Sequence, residues 1–162
     1  MEKKGGLRAL KKYLYRGILL TAVLGLMLLI FGFSSQSGET SGSISGEIAG
    51  PITRQLLKWM PDLHDGDEEA LYMQVDHVVR KTAHFLEYAL LGCLLCLLMR
   101  SFGISSAAIP VIIGILYAVT DELHQTFEPG RSGKITDVLL DAAGVGFGVM
   151  FVRLINHFRR KS

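Results

Sequence analysis

Three pairs of ionisable residues stand at helical spacing in this chain: His84 with Glu87, Asp121 with His124, and Asp137 with Asp141. Residues three or four apart share one face of an α-helix. Each pair therefore offers two donor groups on one face, the device by which helical bundles hold metal ions. Mixed imidazole and carboxylate ligands suit zinc, manganese or iron. The same groups also suit general acid–base work, with Arg131 and Lys134 holding an anionic head group. A third reading involves no chemistry. Arg80 or Lys81 would pair with Glu87, and Arg131 with Asp121 or Asp137, and the network would pin helices together. The candidate catalytic set is His84, Glu87, Asp121, Glu122, His124, Asp137 and Asp141. All of these except Glu122 are candidate ligands for a divalent metal, the one candidate cofactor. Lys81, Tyr88, Gln125 and Arg131 are candidate substrate contacts. The chain has no G-x-S-x-G, no P-loop and no H-E-x-x-H. His64 and His77 read as solvated, and Cys93 and Cys96 as two small apolar residues inside a helix.

The elements that must position these groups are apolar. Of 162 residues, 49% are hydrophobic and 20% charged. The apolar residues are clumped into stretches at about 17–33, 82–99, 106–123 and 138–155. Each is close to the roughly 17–25 residues that cross a bilayer core as a helix. Lys3, Lys4, Arg8, Lys11, Lys12 and Arg16 precede the first stretch, and Arg100 lies between the second and third. Arg153, Arg159, Arg160 and Lys161 close the chain, whereas Ser34 to Lys81 holds eight acids against four bases. By the positive-inside rule both termini are cytoplasmic. The basic start with its long apolar run reads as an uncleaved anchor rather than a signal peptide. A nucleic-acid partner is not expected, because the basic tail adjoins an apolar span.

This topology puts every intramembrane acid at one depth, the outer boundary. There the second span begins, the third ends and the fourth begins. Helical phase sets Asp137, Asp141, Gly144 and Gly148 in one sector, and G-x-x-x-G lets helices approach closely. Gly114, Tyr117, Asp121 and Gln125 share a face of the third span, with His124 beside it and Glu122 about a quarter-turn away. Arg80, His84, Tyr88 and Leu91 align on the second. The three faces converge on a polar pocket open to the outside. Charge inside a bilayer marks function by default.

Between the first two spans, "SISGEIAGPITRQLLKWMP" sets Ile44, Ile48, Ile52, Leu56 and Trp59 near helical spacing. It is expected to form an amphipathic helix on the outer surface or capping the bundle, kinked or split at Gly50-Pro51. From Ala70, a helix is expected to run into the second span. "RSFGISS" is short enough to make the next two spans an antiparallel hairpin, and Pro129-Gly130 marks a turn before the last.

The segments "FSSQSGETSGSIS", "RKTAHFLEYALLG" and "YAVTDELHQTFEPGRSGKITDVLLDAAGVGFG" resemble the VanZ-like family over roughly Phe31 to Gly148. Lys81, His84, Phe85, Glu87 and Tyr88 fill its first charged motif. Asp121, Glu122, His124, Gln125, Phe127, Pro129, Arg131, Asp137, Asp141 and Gly144 fill its second. The resemblance implies a bacterial integral membrane protein and makes the outer-rim cluster the family's shared site. The family's namesake is an accessory factor in resistance to the glycopeptide antibiotic teicoplanin.

Together these observations predict an all-α membrane protein. It is a four-transmembrane-helix bundle with an extracellular amphipathic helical segment between spans one and two. A basic cytoplasmic start (1–16) and tail (156–162) flank the membrane domain (17–155). The expected setting is the bacterial cytoplasmic membrane. The expected partners are a membrane lipid, a lipid-linked cell-wall precursor or a lipoglycopeptide. A metal- or acid–base-dependent hydrolase or transferase on lipid-linked substrates is the alternative. A small carrier is a third reading, disfavoured because no acid lies at mid-membrane.

Overall fold

A computed structural model describes residues 2–36, 38–60, 65–130 and 133–161. These form helices α1 (Glu2–Ser34), α2 (Gly38–Trp59), α3 (Asp65–Ser101), α4 (Ala108–Gln125) and α5 (Ile135–Arg159), with no strand among them. The helices outrun the apolar stretches. Hydropathy marks only the part of a helix that is greasy, and polar flanks continue the same backbone. Thus α1 already begins at Glu2, and α3 begins at Asp65. The 37 residues of α3 rise about 55 Å, against a bilayer core of about 30 Å.

Among the described residues, three helices are long and apolar enough to cross a membrane, within Gly6–Ser34, Asp67–Ser101 and Ile135–Arg159. The remaining bundle helix, α4, has 18 residues and gives its last turns to Asp121, Glu122, His124 and Gln125. Its apolar part alone is short.

The most extensive packing joins α3 to α5, and glycine makes it possible. A Cβ at Gly144 would stand 2.5 Å from the Phe85 carbonyl oxygen. One at Gly148 would overlap the Ala89 carbonyl oxygen, and one at Gly92 that of Val145. The two backbones therefore touch, as small residues permit in membrane helices. The Cys93 thiol donates to the Gly148 carbonyl at 3.3 Å, and both cysteines are free. Helix α4 joins the seam where Gly114 meets the Val145 side chain. Along α1, Leu19, Val23, Ile30 and Ser34 are buried at helical spacing, while Leu20, Leu24 and Leu28 face outward. Tyr117 ties α4 to α1 by donating to the Met27 carbonyl at 2.5 Å.

At the other end of the bundle, α3 turns into α4. Gly103 adopts φ +85°, and the amides of Gly103 and Ile104 bond the carbonyls of Arg100 and Met99. That left-handed turn satisfies the last carbonyls of α3. Arg16 secures the turn from α1, donating to the Ser101 carbonyl at 3.1 and 2.8 Å and lying over the Phe102 ring.

Helix α2 lies along the amino-terminal half of α3 and continues unbroken through Pro51. Its packed face is small and polar rather than apolar. Ser45, Ala49 and Thr53 are buried, and Ser45 donates to Asp76. Ile44, Ile48, Ile52 and Trp59 stand exposed. The periodicity identified the helix, and the apolar stripe is the outward one.

Candidate functional site

The end of α4 enters the seam between α3 and α5. The buried face of α4 runs Pro110, Gly114, Ala118, Asp121, Glu122 and Gln125. The glycine contact holds α5 so close to α3 that Asp141 comes to the level of His84. One ligand atom each from His84, Asp121 and Asp141 lie within 4.8 Å of one another. The two aspartates are 2% and 1% exposed. Asp121 Oδ2 accepts hydrogen bonds from Ser34 Oγ at 2.8 Å and Gln125 Nε2 at 3.2 Å. Its Oδ1 is buried with no hydrogen-bond partner among the described residues, and so is Asp141 Oδ1. Two buried carboxylate oxygens from different helices thus converge beside one imidazole without a hydrogen-bond partner among the described residues. Burying a charged carboxylate costs several kcal/mol unless a proton or a nearby cation neutralises it. Next to the cluster lies a cavity of about 20 Å³, lined in part by Lys81, His84, Glu122, Gln125 and Asp141. That is room for about one water or ion. One nitrogen and two oxygen donors suit a divalent transition metal. Tyr88, 0% exposed, lies beside both aspartates.

The remaining candidates take other places. His124 meets Ser35 Oγ at 3.0 Å and Glu128 at 3.4 Å and stacks on Phe31 at 4.4 Å between centroids. It belongs to an α1–α4 contact outside the cluster. Glu122 was expected about a quarter-turn from the packed face, yet it is 5% exposed. Its Oε1 accepts the Lys134 amide at 2.7 Å, so it anchors the residue that opens α5. The ion pairs also differ from those expected. Lys81 pairs with Asp137, and Arg80 with Asp76 at 2.9 Å. The α3–α5 seam sets Lys81 opposite the first turn of α5, and Asp76 lies one turn before Arg80 on the same face. Glu87 stays out of the three-residue cluster and lines a groove with His84. Arg131 and His64 lie outside the described residues, and His77 is exposed.

Ser34 and Ser35 are the residues that sequence reasoning passed over. The "FSSQ" segment was visible, but the first span read as a plain anchor. Only the packing of α1 on α4 shows that its last turn hydrogen-bonds both Asp121 and His124.

A groove of about 200 Å³ leads away from the cluster between α2 and α3. Phe33, Ile44, Ile48 and Val79 make apolar walls, Arg80 lies on its rim, and His84 and Glu87 line its polar part.

The sequence matches the family described as VanZ/LLP1 over residues 19–156. The chain belongs to that family. Nothing among curated proteins and nothing among solved structures matches it. The VanZ/LLP1 match spans the chain from the apolar part of α1 to the end of α5, and includes every residue of the cluster and of the groove.

Proposed function

We propose that this VanZ-family protein binds an amphiphile at the outer leaflet of a bacterial cytoplasmic membrane, beside a divalent cation held by His84, Asp121 and Asp141. One observation supports it above the others. Two buried carboxylate oxygens without partners converge with an imidazole where the groove ends. The ion pairs present, Lys81 with Asp137 and Arg80 with Asp76, leave these two oxygens without a hydrogen-bond partner among the described residues.

All four bundle helices cross the bilayer in this reading, with α4 the shortest and both termini cytoplasmic. The Arg-rich end faces the cytoplasm, as the positive-inside rule requires. The apolar walls of the groove take an acyl or prenyl chain. Its head group then comes to lie at His84, Glu87 and Arg80. A lipid-linked cell-wall precursor and an acylated glycopeptide such as teicoplanin share that chemistry. Both are met on the outer leaflet.

The second reading, a hydrolase or transferase, is favoured by the placing of Glu87. It lies one turn from His84 on the same groove and is positioned to take a proton from an attacking water. A bound cation would polarise a phosphoryl or carbonyl oxygen of the head group.

The test is binding to the full chain in nanodiscs. An acylated glycopeptide and its deacylated counterpart are compared, as are a prenyl phosphate and inorganic phosphate. The chain-bearing member of each pair is expected to bind at least about tenfold tighter, and Ile48→Asp to erase the difference. Equal binding of both members would overturn the groove assignment.

A further inference from the structure

A second cavity lies at the opposite end of the bundle, between the start of α4 and the last turns of α5. It is open and broad, about 750 Å³. Arg100, Arg153, His157 and Arg160 line its mouth. Arg153 and His157 on α5 and Arg160, its C-cap, stand at i, i+4 and i+7, so they lie along one side of the helix end. Arg100 comes from the end of α3. Among the described residues, no carboxylate pairs with any of them. The sequence explains why: no Asp or Glu occurs from Tyr88 to Thr120 or after Asp141. Arg153 is partly committed, donating to the Ser105 carbonyl at 2.8 Å. The other two guanidinium groups have no such bond among the described residues.

The depth of the cavity is apolar. Val111, Val149 and Met150 line it with Gly146. A Cβ added at Gly146 would meet nothing within 4 Å, so the wall there is open space. From Gly146 to Arg160 the axis of α5 rises about 21 Å. Over that distance the lining passes from apolar wall to basic mouth. A free phosphate needs only the mouth. A phospholipid needs both, in this order, with its chains toward the bilayer centre.

We propose that this cleft is a binding site for an anionic phospholipid, held by its phosphodiester at Arg100 and Arg160 and by one acyl chain against Gly146 and Val149. The leaflet follows from the topology proposed above, whereas the site itself rests only on the cleft. The lipid fills the gap between the start of α4 and the last turns of α5, where Arg153 reaches the Ser105 carbonyl in the loop before α4. It thereby braces the short helix that carries Asp121 at its far end.

The test is native mass spectrometry of the delipidated full chain in mild detergent. Phosphatidylglycerol and phosphatidylcholine with identical chains are titrated in parallel, and glycerol phosphate and inorganic phosphate form separate arms. Phosphatidylglycerol is expected to bind at least about tenfold tighter than phosphatidylcholine, at roughly a severalfold gain per arginine near the head group. Arg100→Gln with Arg160→Gln removes the preference, and the matching pair of Lys substitutions keeps most of it. Gly146→Phe leaves every charge in place and fills the cleft, so it weakens both lipids. Asp121→Asn with Asp141→Asn leaves the preference unchanged, which separates this site from the cation centre. Equal binding of the two lipids would overturn the proposal. So would glycerol phosphate or inorganic phosphate binding as tightly as the lipid, or an unchanged preference in the Gln double variant.

Discussion

The two ends of this bundle treat charge in opposite ways. At one end, Asp121 and Asp141 are driven into the packed seam, with an oxygen of each lacking a hydrogen-bond partner among the described residues. At the other, Arg100, Arg153 and Arg160 line an open cleft. Arginine at a helix end can reach the interface and keep its hydration. A short aspartate cannot, so it is tolerated in the seam only where a proton or a bound cation neutralises it. In the readings proposed above, the buried acids hold a ligand and the open cations hold a lipid head group. The same α3–α5 glycine contact makes both ends, closing one around the acids and holding the frame of the other.

The largest way to break the comparison is to part the two helices. Gly148→Leu drives a side chain into the Ala89 carbonyl and Gly144→Leu one toward that of Phe85. Each is expected to lower stability by about 3 kcal/mol, read as an earlier melt in detergent and loss of ligand at both ends. An unchanged melting curve would show that the contact is not needed. Next comes a change confined to the acidic end. Ser34→Ala removes the 2.8 Å hydrogen bond to Asp121 Oδ2. Cation affinity should fall about 10- to 100-fold by calorimetry, while the preference for phosphatidylglycerol stays. A fall in both would tie the ends together more tightly than described. Arg16→Gln removes two bonds to the Ser101 carbonyl at the basic end. It should cost about 1 kcal/mol of thermal stability and leave cation binding alone. Smallest of all, Leu28→Ala on the outward face of α1, where Leu28 is 73% exposed, should stay within about 0.5 kcal/mol. A large effect there would mean that this face meets another protein rather than lipid.

The sequence made much of this legible, for definite reasons. Apolar runs and G-x-x-x-G show where helices lie and where they touch, and both are local patterns. Phase set His84, Asp121 and Asp141 on facing sides, but spacing paired them with Glu87, His124 and Asp137, which lie outside the three-residue cluster. What stayed hidden depends on distant partners. Ser34 is unremarkable until α1 packs on α4. Glu122 looked turned away because phase alone cannot show that the α4–α5 loop folds over it. Lys81 chose Asp137 across the seam rather than Glu87 on its own helix. In α2 the apolar stripe was legible, but not the opposite face, where Ser45, Ala49 and Thr53 pack because α3 offers Tyr72 and Asp76 there.

The most direct measurement is metal analysis of the purified wild type beside an Asp121→Asn, Asp141→Asn double variant, with both shown to insert and melt cooperatively. About one divalent metal per wild-type chain and none in the variant is the expected result. Wild-type protein that takes up no divalent metal, or a variant that keeps it in full, would contradict the cation centre.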